Sequence, residues 1–150
     1  MNLEWTVGIA GATCCVICLS TFAVYLMKRS QHNIEKFKSG RQQTNDAFLQ
    51  KLGLEPGTQR AEFAIGLRSL IAELGRIPCG AVMPEHRIWK DFKSLPFFDS
   101  PDTLVFIVRL EQKLGISIPD EQADKIIPMD VNLTVKDMIF HLLNQPKVPT

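Results

Sequence analysis

Between Trp5 and Met27 the chain reads WTVGIAGATCCVICLSTFAVYLM without a single charge. As a helix rising ~1.5 Å per residue, these ~23 residues would extend ~34 Å, enough to cross a hydrocarbon core. No other feature of the sequence limits the possible folds so strongly. Trp5 and Tyr25 stand near the two ends, where amphipathic rings favour the headgroup region, and Lys28 and Arg29 close the run. A cleaved signal peptide would need a positive start and a shorter apolar core. Here the only early side-chain charge is Glu4, and no small-residue cleavage site follows. The expectation is a single-pass anchor over residues 1–29, with its span at 5–27. Positive charge follows the span in Lys28, Arg29, Lys36, Lys38 and Arg41, which predicts an outside amino terminus and a cytoplasmic carboxy-terminal domain.

Cys14, Cys15 and Cys18 imitate a CxxC site, but a thiolate in mid-span is costly and no further ligands stand nearby. They read as small apolar packing residues. Cys79 is alone outside the span and cannot close an internal disulfide, in agreement with a reducing compartment. Residues 30–57 are polar and basic, with scattered apolar positions at Ile34, Phe37, Phe48 and Leu49, a break at Gly40 and a turn at Glu55–Thr58. This is the pattern of a juxtamembrane neck, whose cations either face anionic membrane lipids or remain solvated. Across the whole chain, 17 Lys and Arg against 16 Asp and Glu leave a net charge of +1, so no basic excess points to nucleic acid.

From Thr58 onward the pattern becomes helical. Phe63, Leu67, Leu70 and Leu74 form one stripe, with Thr58 as a cap candidate and Gly75 as the stop. Residues 76–98 hold Pro78, Gly80, Pro84 and Pro96 among Ile77, Val82, Ile88, Trp89 and Phe92, the signature of a long loop pinned by apolar plugs. Pro101 suits a first helical turn, with Asp99 and Ser100 as caps before it, and the helix runs to Gly115. Pro119 opens a short third helix, and Thr134 caps a fourth with Val135, Met138, Ile139, Leu142 and Leu143 on one face. Nothing alternates at period two, so the fold class is all-α: a small four-helix bundle over 58–144 behind the anchor and neck, followed by a tail at 145–150.

The segment from Asp99 to Ile126, DSPDTLVFIVRLEQKLGISIPDEQADKI, resembles the carrier core of bacterial acyl carrier proteins without a gap. The matching positions are an Asp-Ser pair at Asp99 and Ser100, then Asp102, Leu110 and Glu111, the IPDE run from Ile118 to Glu121, and Ala123, Lys125 and Ile126. The Thr134-Val135 start of the last helix adds to it. The resemblance implies that Ser100 accepts 4'-phosphopantetheine, with Asp99 helping to hold the donor's metal or orient the attack. It also implies a phosphopantetheine transferase and acyl-transferring enzymes as partners, and acyl groups carried as thioesters. A serine at the amino end of a helix suits a phosphodiester, because free N–H groups and the positive helix end face it. A serine before a first-turn proline is equally a common capping arrangement, and both roles stay open for Ser100.

Four positions depart from the family pattern. Pro101 replaces the leucine that partner enzymes grip, Val105 stands where a glutamate is usual, and Arg109 and Lys113 make an acidic helix basic. The partner-binding set implied is therefore Pro101, Asp102, Val105, Arg109 and Lys113, facing an apolar or acidic surface. An alternative function is an adaptor in a membrane-associated complex that has lost the arm. An enzyme is not expected: His32, His86 and His141 lie in separate segments without metal-ligand spacing, no GxSxG or glycine-rich phosphate loop is present, and Glu111, Asp120 and Glu121 read as solvated charges.

Overall fold

The computed structural model describes residues 21, 24–25, 28, 31–98, 102–118 and 132–144. Helix α1 covers residues 31–39, and Thr21, Val24, Tyr25 and Lys28 before it are also helical. Helix α2 follows at Asn45–Leu52 and α3 at Gln59–Gly75. A 3-10 turn at Cys79–Ala81 and the short α4 at Ile88–Asp91 interrupt the next connection; α5 covers Thr103–Leu114 and α6 Val135–Leu143. Among the described residues there is no strand, only an isolated antiparallel bridge between Arg87 and Thr134.

Each helix has a local reason to start and stop. Thr44 and Thr58 cap α2 and α3 by accepting the N–H of Ala47 and Ala61. Thr134 and Asp137 form a reciprocal capping box at α6. Gly53 and Gly115 end α2 and α5 in the left-handed conformation that glycine adopts without strain. At α3 the left-handed position falls instead on Arg76, one residue after the expected stop at Gly75. Its N–H still returns to Ala72 and Glu73 carbonyls, which satisfies the helix end despite the side chain.

Helix α3 is the spine of the fold, packing against α2, α5, α6 and the 3-10 turn. Leu67, Leu70 and Ile71 meet Phe106 and Leu110 from α5 and Val135, Met138, Ile139 and Leu142 from α6 in one apolar core. Gly66 allows α5 to approach, since a β-carbon there would lie 2.4 Å from the Leu114 side chain. The long connection after α3 enters this core through Ile77, Val82, Ile88, Phe92, Leu95 and Phe98, all buried. Its middle is tied to the start of α6: Ile88 N–H donates to Leu133 at 2.9 Å, Val135 N–H to His86 at 2.8 Å and Lys136 N–H to Pro84 at 3.0 Å. Apolar plugs thus hold this loop, and backbone bonds fix its register on α6.

Segment 31–57 contributes to the same core. Phe48, Leu49 and Leu52 from α2 and Ile34 from α1 are all buried in it, and Asn33 of α1 donates to the Ser94 carbonyl at 3.3 Å. The charged residues Glu35, Lys36 and Lys38 occupy the outer side of α1, so this is an amphipathic helix packed on protein.

The expected single-pass anchor is not supported. Among the described residues no helix is long and apolar enough to cross a membrane. Most of the 5–27 run lies outside the described residues, and the helical residues that follow carry Lys28 and then the charged, core-packed α1. The anchored fold class and the placement of the chain as a single-pass membrane protein with an outside amino terminus are corrected accordingly. The short helix expected after Pro119 also lies outside the described residues, as does the tail at 145–150.

Candidate functional site

The start of α5 is where the sequence concentrates its chemistry. Asp99, Ser100 and Pro101 lie outside the described residues, and the structure resumes at Asp102. Asp102, not Ser100, is the N-cap: its Oδ1 accepts the N–H of Leu104 at 3.0 Å and of Val105 at 3.2 Å. The helix begins at Thr103, two residues later than the proline signal predicts, with Asp102 in extended conformation as its cap. Two of the first-turn N–H groups expected to serve a phosphate at Ser100 are thus already given to Asp102.

The segment leading to Asp99 is held by aromatic packing. Phe98 is buried, 5.6 Å centroid to centroid from Phe92 and 6.1 Å from Trp89, and Trp89 stands edge-on to Phe106 of α5 at 6.2 Å. Phe97 has φ of 69°, a conformation that costs a bulky L residue on the order of 1 kcal/mol or more. Its ring lies 5.3 Å from Phe98 and 6.1 Å from Phe106, contacts that hold the backbone in that conformation. A strained turn on an aromatic platform therefore sits immediately before the Asp99-Ser100 pair.

Along α5 the inward residues are Phe106, Ile107 and Leu110, and the outward ones are apolar as well: Leu104 is 69% exposed, Val105 43% and Val108 48%. Arg109 is exposed beside them and forms no ion pair among the described residues. Lys113, one turn further on, pairs with Glu73 of α3 at 3.2 Å, so part of its charge is already answered within the chain. Of the five residues expected to meet partners, Val105, Arg109 and Lys113 follow one another at four-residue spacing along α5, Asp102 caps that helix, and Pro101 is outside the described residues.

Some important residues were hidden from sequence reasoning. Glu111, read as a solvated charge, accepts the Ile118 N–H at 2.6 Å and so fixes the turn after Gly115. Arg68 is wholly buried in α3; its Nε donates to Val82 O at 3.0 Å, and its other nitrogens donate to Asn45 Oδ1 and Gln43 O, each at 2.8 Å, and to Gly80 O at 3.2 Å. The guanidinium carbon also lies 4.4 Å from the centre of the Phe48 ring. Burial lowers its affinity for the proton from the usual arginine range. The available signal was its place on a second, small-residue stripe of α3 with Ala61, Ala64 and Gly75. Among the described residues no group of His, Cys, Asp and Glu could hold a metal ion.

No family model and no solved structure matches the chain. Curated relatives do. The chain is 39% identical over 61 residues to the acyl carrier protein of Helicobacter pylori strain G27, covering 41% of this chain and 73% of that protein. It is 32% identical over 76 residues to the acyl carrier protein of Helicobacter hepaticus, covering 51% of this chain and 87% of that one. Against the acyl carrier protein of Campylobacter hominis the figures are 30% over 81 residues, with 54% and 90% covered. Such proteins are carriers and not catalysts, which agrees with a chain read as having no catalytic constellation. By these relatives, and by an all-helical core in which α5 follows the Asp99-Ser100 pair, the chain belongs to the acyl carrier protein family.

Proposed function

We propose that the protein carries acyl groups on a phosphopantetheine arm attached to Ser100. The observation that carries this reading is the cap of α5. Asp102 supplies the capping oxygen of α5, so the cap of this helix does not call on the serine hydroxyl that modification would use. The described surroundings suit an attached arm, because Asp102, Leu104 and Val105 are exposed and leave the approach to the helix start open. When bound, the arm supplies a thiol that takes up acyl groups as thioesters. Ser100 would hold the phosphate and Asp99 would orient the serine hydroxyl for modification, while the aromatic platform of Phe97, Phe98 and Phe106 would keep the approach rigid.

The outer face of α5 would choose the partners. Leu104, Val105 and Val108 offer apolar contact, Arg109 adds a positive rim, and Asp102 and Pro101 stand at its start. Acyl-transferring enzymes that read an acidic helix would be rejected at Arg109, and a partner with an apolar or acidic surface would be favoured. The same exposed face favours a second reading, an adaptor that binds its partner through α5 without any arm.

Loading the purified chain with a fluorescent coenzyme A and a broad-specificity transferase tests the first reading. Label should enter the native chain and be lost in Ser100→Ala, with helicity and unfolding midpoint unchanged because the α5 cap is intact. No incorporation into the native chain, or equal incorporation into Ser100→Ala, would contradict it.

A further inference from the structure

A cavity of about 320 Å³ lies between α1 and the connection that follows α3, apart from the start of α5. Its apolar wall is made by Phe37, Ala81 and Met83, and its polar rim by Lys36, Arg41, Asn33 and His86. That size is at the small end of ligand pockets, and a mixed lining with a few polar groups is the usual form of one.

The charges at this cavity are unbalanced. Lys38, two residues from Lys36, is paired with Glu35 at 3.1 Å, but neither Lys36 nor Arg41 meets a carboxylate among the described residues. One acidic residue, Asp91, also lines the cavity. Its carboxylate is held by Arg87 through bonds of 2.9 and 3.3 Å and by the Arg87 N–H at 2.8 Å, which neutralises it and places its acceptors on protein. His86 adds a donor. Its Nδ1 accepts the Met83 N–H at 3.2 Å, so the neutral ring carries its hydrogen on Nε2. Burial pushes the proton affinity of this ring down, which keeps it in that neutral form. The rim thus offers two cations and an N–H donor above an apolar wall.

We infer that the cavity between α1 and the 81–94 segment binds a small amphiphilic anion, with its carboxylate or phosphate head at Lys36 and Arg41 and a short apolar body against Phe37, Ala81 and Met83. Both cations come from α1 and the residues just after it, so the site exists only while α1 is docked through Ile34, Phe37 and Asn33. The site is independent of Ser100 and of the arm.

Calorimetric titration of the full chain with hexanoate, hexyl phosphate and hexanol tests this. Saturable one-site binding of at least one of the two anions is expected, with hexanol about tenfold weaker or more, the loss that follows from removing a charge-assisted hydrogen bond. The tighter of the two anions identifies the head group. Lys36→Gln combined with Arg41→Gln should weaken the anion by at least about tenfold, whereas Lys38→Gln, which removes a positive charge from the same helix, should leave it unchanged. Absence of saturable binding, equal affinity for hexanol, or the same loss in Lys38→Gln as in the double variant would overturn the proposal. The hexanol comparison uses the unaltered chain and decides even if the double variant fails to fold.

Discussion

Arg68 Nε donates to the carbonyl of Val82 at 3.0 Å, joining the middle of α3 to the loop that follows the 3-10 turn. The other guanidinium nitrogens reach Gln43, Asn45 and Gly80, so one buried side chain ties together the α1–α2 connection, the start of α2, the 3-10 turn and the residue after it. The bonds serve three backbone carbonyls and one side-chain oxygen, and a charged donor makes each of them stronger than a neutral one.

Replacing Arg68 should therefore cost far more than a surface arginine. Arg68→Leu leaves the Val82 and Gln43 carbonyls without this donor and is expected to cost about 3 kcal/mol or more, read as the shift of the urea midpoint. Arg68→Lys keeps the charge but cannot reach four acceptors from one ammonium, so it should recover only part of the loss. A cost below about 0.5 kcal/mol for the leucine variant, the range of ordinary surface changes, would show that the network contributes nothing.

The cap of α5 makes a contrast between two neighbouring residues. Asp102→Ala should destabilise by about 1 kcal/mol, and Asp102→Ser should retain most of that stability. Ser100→Ala should leave the unfolding midpoint where it is. If the serine variant is the destabilised one and the aspartate variant is neutral, the cap belongs to Ser100.

Stability should also depend on pH through His86. The ring is packed edge-on against Phe92 at 5.3 Å and against Phe37 at 6.1 Å, and its Nδ1 must stay unprotonated to accept the Met83 N–H. Burial lowers its pKa in the folded chain, so the unfolded chain binds the proton more readily. Stability is then fully present above the ordinary histidine value of about 6.5 and declines as pH falls below it. Asp91 and Glu85, held below the usual carboxylate range by bonds from Arg87 and Lys51, add a second loss at more acidic pH. Urea midpoints measured for the native chain and for His86→Gln should differ in slope between about pH 6.5 and 5 and run parallel above it. Equal slopes would remove His86 from the account.

The outer face of α5 offers a test of recognition. Val105→Glu with Arg109→Ala and Lys113→Glu restores an acidic helix, and should raise loading by a generic transferase roughly tenfold, because rim charges act mainly on association. The last change also sets a carboxylate against Glu73, so a small loss of stability should accompany it. Unchanged loading would mean that Pro101, or the strained Phe97 segment, governs access.

How far these features could be read from residues alone depended on how local their causes are. The apolar stripe of α3, the Thr58 and Thr134 caps and the plugs of the 76–98 connection are set by neighbours within a turn or two, and they stand where the pattern predicts. Segment 31–57 was harder, because its buried Ile34, Phe48, Leu49 and Leu52 are diluted among charges, and only tertiary contact with α3 reveals that they belong to the core. Arg68 and Glu111 escaped for a related reason. A charged residue on a helix reads as solvated until its distant backbone partners are known. At the start of α5 the proline pointed to Asp99 and Ser100 as caps, whereas the residue that caps the helix is Asp102. The uncharged run at 5–27 carried a strong length signal, yet the described helical residues after it form a charged helix packed on protein.

The central claim is that Ser100 carries the arm, and the most direct measurement is the mass of the tryptic segment containing it, from the protein isolated from its own cells. A mass increment matching phosphopantetheine is expected, located on Ser100 by fragmentation and absent from Ser100→Ala expressed in the same cells. An unmodified segment, in cells whose other acyl carrier proteins are fully loaded, would contradict it and leave α5 as the contact face of an adaptor.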